Sequence, residues 1–210
     1  MTTLGWTEFA GSLRSEEITF GLSENVGGDE TGAGAAIRVG RGTRLWTGAI
    51  RLASDAENLR TRALEAQIEF LQDPGNAFLI SPPHYFPAHD PTGSIVTGSS
   101  PTVTIGDFRK LTIAGLPEGY VITPGDWLGW QYGTPIRRAL HRVRAGGTVD
   151  ASRSLSGIEV NPPPVPATTR PVTLVRPVCK AVLVPDTFSG FAYLGGRRGG
   201  GTFRFRQVLP

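Results

Sequence analysis

The sequence predicts a mainly β fold with one long helix, built as two β modules. Three observations carry that prediction. Short apolar or alternating runs recur along the chain with Gly or Pro in nearly every gap, and the 28 Gly and 17 Pro of its 210 residues serve those turns. Only one segment, 54–72, repeats its apolar residues at helical spacing. Two proline-rich stretches, Pro82 to Pro91 and Pro162 to Pro171, frame a region that reads as strands alone.

The elements follow in order. Glu17–Leu22 and Ala35–Val39 read as short strands around a glycine-rich loop, 23–34, that lacks apolar periodicity and is expected to be mobile. Thr43–Leu52 alternates, with Trp46, Gly48, Ile50 and Leu52 on one face. Ser54 is a good N-cap and Glu57 completes a capping box, so a helix is expected over 54–72. Leu59, Ala63, Ala66 and Phe70, flanked by Leu64 and Leu71, mark its expected buried face, with Arg60, Arg62, Glu65 and Glu69 largely on the other, and Asp73-Pro74-Gly75 ends it. Ala77–Ile80 returns as a strand, stopped by Pro82-Pro83.

Further strands are expected at Thr102–Ile105, Phe108–Ile113, Tyr120–Ile122, Trp127–Tyr132, Arg138–Arg144 and Ser156–Val160, the spacing of a small barrel or sandwich. Asn161 to Pro171 reads as an extended linker. Val172–Val175 and Cys179–Val184 suit central strands. A terminal hairpin pairs Thr187–Leu194 with Thr202–Leu209, Phe203 and Phe205 pointing inward and Arg204 and Arg206 outward. The layout predicts a discontinuous first domain, residues 1–87 and 170–210, with residues 88–169 inserted as a small β-barrel.

Composition narrows the function. The single Cys179 excludes an internal disulfide, and its apolar run makes it a buried, inert thiol. No run of 18 apolar residues could span a bilayer and no leader-like start is seen, so a soluble chain made in the cytoplasm is expected. The net charge of +3 is mild, and every basic residue except Lys110 and Lys180 is arginine.

Candidate chemistry is thin. Gly32-Ala33-Gly34 lacks the third glycine and following helix of a dinucleotide fingerprint. His84, His89 and Asp90 lie close in a proline-rich loop, but their spacing fits no metal-binding pattern. His141 is expected as a half-buried partner to Glu or Asp. Gly125-Asp126 reads as a turn whose aspartate bonds its own backbone rather than as a catalytic acid. Trp127, Trp130 and Tyr132 cannot all share a strand face, which favours core packing over a sugar platform. Arg137, Arg138, Arg142 and Arg144 lack interleaved exposed aromatics, so sequence-specific nucleic-acid binding is not expected. No catalytic, cofactor or metal residues are assigned.

Two regions carry a family resemblance. One is Leu45-Trp46-Thr47-Gly48-Ala49-Ile50, then Ile68-Glu69-Phe70-Leu71 and Gly75-Asn76-Ala77-Phe78-Leu79-Ile80 with its proline-rich exit. The other runs from Pro124-Gly125-Asp126 through Leu140-His141-Arg142-Val143 and Glu159-Val160-Asn161-Pro162-Pro163 to Arg176-Pro177-Val178-Cys179. In order and spacing the chain resembles distal tail proteins and related minor tail proteins of long, non-contractile-tailed phages, over about two thirds of its length. The resemblance implies a structural virion protein and no enzyme. It implies a tail-tube-like β-sandwich with an inserted OB-like barrel, assembled as a homo-hexameric ring at the distal end of the tail tube.

Its implied partners are the tube protein, the hub protein and, in some relatives, side fibres, with DNA passing through the channel. Phage-derived particles such as gene transfer agents use similar parts. Two other readings stay open. A carbohydrate-binding module would need an exposed aromatic pair, and a small metal-dependent cell-wall hydrolase would need a metal at His84 and His89.

Overall fold

The computed structural model describes residues 2–30, 32, 34, 36–54, 58–96, 98–107, 109–164, 169–194 and 197–209. Five strands, β1 (Thr3–Leu4), β2 (Ser15–Leu22), β3 (Val26–Glu30), β4 (Ala36–Gly40) and β5 (Trp46–Leu52), precede the helix α1 (Asn58–Gln72), and β6 (Ala77–Ile80) follows it. A middle group comprises β7 (Thr102–Ile105), β8 (Lys110–Ala114), β9 (Val121–Ile122), β10 (Trp127–Tyr132), β11 (Arg137–Ala145), β12 (Gly147–Thr148), β13 (Ser154–Asn161) and β14 (Arg170–Thr173). The chain ends with β15 (Cys179–Leu183), β16 (Ala192–Leu194), β17 (Arg197–Gly199) and β18 (Thr202–Gln207). The protein is mainly β, and α1 is the one α-helix among the described residues.

Two main sheets organise these strands. The first has the order β1-β6-β15-β18-β5-β2, antiparallel except for the β1–β6 pair. Cys179–Leu183 lies centrally in it, as its apolar sequence predicts. β18 alternates as expected: Phe203 and Phe205 are buried, while Arg204 and Arg206 are exposed. Gly48 makes this packing possible, because a Cβ there would fall 2.6 Å from the Phe205 ring and 2.0 Å from the Thr19 carbonyl. Phe9, Trp46, Ile50, Phe78 and Ile68 complete this core.

The second sheet is ring-like. β7, β8, β13, β11, β10 and β14 pair in that order, and β14 returns to β7 through Arg170↔Val103. Leu111, Ile113, Tyr120, Leu128, Trp130 and Val160 fill its interior. The expected strand Val172–Val175 is therefore displaced: β14 spans Arg170–Thr173 and joins the ring, not the first sheet. Strand pairing is a long-range property, and this strand's composition suits either sheet.

Three other expectations are corrected. The terminal hairpin does not form as drawn, because β18 inserts between β15 and β5 while β16 pairs with β17. Within 23–34, Val26–Glu30 is a strand paired to β4 rather than loop. The helix is rolled so that the expected flank, Leu64 and Leu71, faces the core and the expected centre faces out. Thr61, Ile68 and Leu71 are buried and Leu64 is half-buried, whereas Ala63 and Ala66 are exposed, as are Leu59 (77 %) and Phe70 (38 %).

Both stripes of the helix repeat at helical spacing, so period alone cannot choose between them. The stripe with the larger branched aliphatics, Leu64, Ile68 and Leu71, wins the core, and full burial of a side chain such as Ile68 gains about 1.5–3 kcal/mol. Two polar contacts fix that roll: an Arg60 guanidinium N–H donates to the Ser12 carbonyl at 2.5 Å, and the Gln67 amide donates to Glu8 at 3.3 Å. The capping box falls partly on residues 55–57, outside the described residues. The helix ends as its sequence demands, with Gly75 at a φ of +92°.

Candidate functional site

The two sheets meet at an aromatic seam. Trp46 of β5 and Trp127 of β10 lie 4.6 Å apart between ring centroids, and Phe20 stacks on Trp46 at 5.6 Å. The Trp46 indole donates to the Leu140 carbonyl of β11 at 2.7 Å. Trp127 thus belongs to the first core, while Trp130 and Tyr132 belong to the ring core. All three are buried, and none is available as a sugar platform.

Asp126 is buried in the turn before β10. It accepts from the Thr123 N–H at 2.8 Å, from the Thr123 hydroxyl at 3.0 Å and from the Ala88 N–H at 3.2 Å. These bonds tie the 82–91 segment to the ring, and Tyr85 adds to them by accepting from the Trp127 N–H at 3.0 Å. Burial raises the Tyr85 pKa. The aspartate is a turn residue, as its sequence context predicts.

The three candidate metal residues have separate tasks. His84 is exposed in a left-handed turn (φ 50°), and His89 sits edge-on to Tyr120 at 5.0 Å. Asp90 is buried, with both the Ile95 and Val96 N–H groups donating to its Oδ2 at 3.0 Å. Among the described residues no three His, Cys, Asp or Glu side chains come together as a metal site. Burial pushes the Cys179 thiol up to about 12, which leaves it protonated and unreactive. Among the described residues no helix is long and apolar enough to cross a membrane.

His141 departs from expectation. It is buried and, among the described residues, pairs with no acid. Its Nδ1 lies 2.8 Å from the Pro162 carbonyl, its ring stacks on Trp130 at 4.5 Å, and its Nε2 has no partner among the described residues. Because a carbonyl only accepts, Nδ1 carries the proton. Burial pushes the imidazole down from 6.5 to about 4, with the Pro162 bond partly opposing.

The exposed surfaces are more informative. β2 and β5 continue beyond the first sheet as β3 and β4, held by Ser23 N–H to Leu45 and Arg41 N–H to Asn25, both at 2.8 Å. The result is a two-stranded ribbon in which every residue of β4 is exposed, including Ile37 and Val39, with Val26 exposed on β3. Ile37 and Val39 share one face of it.

Two of the surface concavities bring aromatic and arginine side chains together. A groove beside the first sheet is lined by Trp6, Ile18, Ile50, Ile80, Phe86 and Arg176, with Phe86 62 % exposed. Trp6 packs against Gly11, where a Cβ would fall 2.6 Å from its ring, and the Arg176 guanidinium lies 4.1 Å from its centroid. That leaves Phe86 as the groove's one strongly exposed aromatic.

The second concavity, a cleft of about 390 Å³, is lined by Gly129, Pro171, Val178, Arg138, Arg170 and Arg176 among others, with no acidic residue in its lining. The other arginines of the β11 cluster go elsewhere. Arg142 lies over Trp127 at 5.7 Å, and Arg144 pairs with Glu159 at 2.6 Å. Sequence reasoning missed the cleft because Arg170 and Arg176 come beside Arg138 only when β14 closes the ring.

No protein-family model matches this chain, and no curated protein matches it.

Proposed function

We propose that the chain is a structural virion component. It forms a six-membered ring at the distal end of a phage-type tail tube, joining the tube to the hub and forming part of the DNA channel. In this reading the first sheet and α1 are a tail-tube-like sandwich built from both ends of the chain. The ring-like sheet is an inserted barrel of the OB kind, begun near residue 88 and closed by β14.

The observation that carries the proposal is the projecting ribbon. A lone two-stranded hairpin is at best marginally stable in water, and this one presents Val26, Ile37 and Val39 to solvent. A chain that holds out such an element is built to lay it on neighbours. The motif order of distal tail proteins supplies the identity of those neighbours. Of the chain's buried polar groups, Asp90 and Asp126 serve turns and Gln207 joins Trp46 to Arg138 across the seam.

A gene lying between those of a tape-measure protein and a hub protein would agree with this role. The direct test is mass spectrometry of purified tailed particles, which should find the chain in amounts near those of other tail-tip proteins. Its absence from particles would end the proposal. A carbohydrate-binding role predicts instead a monomer that binds glycans without any particle.

A further inference from the structure

Two surfaces of this protein lack a partner and complement each other. On α1, the residues that turn away from the core, Leu59, Ala63, Ala66 and Phe70, form an exposed apolar stripe. Glu69 and Asp73 stand on the same outer side close to Phe70, with the exposed Arg62 about two turns earlier, and neither carboxylate is paired among the described residues. On the ring-like sheet, Arg138 and Arg170 line a cleft together with Pro171 and Val178, and their guanidinium groups are likewise unpaired among the described residues. Arg176 also lines it, and Ile136, 64 % exposed, lies two residues before Arg138.

We propose that this cleft receives the outer face of α1 from a second copy of the chain, Phe70 entering between the arginines while Glu69 and Asp73 pair with them. The inference rests on the ring reading above and gives that ring a specific contact. Charge complementarity selects the occupant: an apolar knob flanked by the Glu69 and Asp73 carboxylates meets a cleft that carries three arginines and no acidic residue in its lining. Arginine suits this task because its planar fork binds carboxylates in a bidentate manner and sheds water readily. The two patches are different parts of one chain, so the contact is head-to-tail, the type that repeats around a closed ring. Nucleic acid is the poorer occupant. A phosphate backbone would use the arginines but leave the helix stripe uncovered.

Cysteine trapping tests the contact in the full-length protein, because the native Cys179 is buried and does not compete. Chains carrying Phe70→Cys are mixed with chains carrying Thr173→Cys, a cleft-lining position, and oxidised. The mixture should yield several-fold more disulfide-linked dimer than a control mixture of Phe70→Cys with Glu118→Cys. Arg138→Glu with Arg170→Glu in the second chain should remove that excess. Adding Glu69→Arg and Asp73→Arg to the first chain should restore it.

Thermal melts of each variant check that the fold is kept. Trapping no better than the control overturns the inference, and so does trapping that ignores the charge reversals. If particles nevertheless show a six-membered ring of this chain, only this contact is lost. If they contain no such ring, the ring reading fails with it.

Discussion

The indole of Trp46 donates a buried hydrogen bond to the carbonyl of Leu140, 94 residues further along the chain, at 2.7 Å. That bond joins β5 of the first sheet to β11 of the ring-like sheet, and Trp127 packs beside it. The two sheets therefore share a core edge instead of hanging on a linker.

Trp46→Phe tests how much that seam contributes. It removes the donor and leaves the Leu140 carbonyl without it, a loss of about 1–3 kcal/mol. The protein should remain folded, with a midpoint lowered by roughly 2–4 °C per kcal/mol for a chain of this size. Calorimetry that shows an unchanged midpoint would mean that the seam is ornamental.

The helix faces make opposite predictions for two neighbouring residues. Ile68→Ala empties a fully buried site and should cost about 2–5 kcal/mol. Phe70→Ala trims an exposed ring and should change the stability of the isolated chain by no more than about 0.5 kcal/mol. Urea melts of the two variants decide this, and equal losses would contradict the helix orientation.

His141 should give the protein an acid-sensitive step. Folded, the imidazole stays neutral until about pH 4, whereas the unfolded chain takes up its proton near pH 6.5. The stability tied to neutral His141 is therefore full above pH 6.5, falls as pH drops towards 4, and changes no further below that. The slope is at most about 1.4 kcal/mol per pH unit. Subtracting the pH profile of a His141→Leu variant from that of the wild type removes the carboxylate contribution. Parallel profiles would show that the ring charges without penalty.

Local pattern made much of this architecture legible. The alternation of β5 and β18, the stop at Asp73-Pro74-Gly75 and the turn role of Asp126 all follow from neighbouring residues. What escaped were decisions made at long range. Arg170–Thr173 suits either sheet, and only its pairing with Val103 and Gly129 places it in the ring. The helix offers two apolar stripes, and the groups that choose between them, such as the Ser12 carbonyl, lie far away in sequence. Among the described residues His141 finds its one partner, through Nδ1, in the backbone carbonyl of Pro162, which leaves no trace in side-chain composition. The arginine cleft gathers residues from three segments, so no local motif marks it.

Electron cryomicroscopy of the intact particles tests the central claim most directly. The account predicts a single six-fold ring of this chain between the tail tube and the hub, its β3–β4 ribbon lying against a neighbour. Density for the chain in the capsid, or a tail tip built without it, would contradict the account.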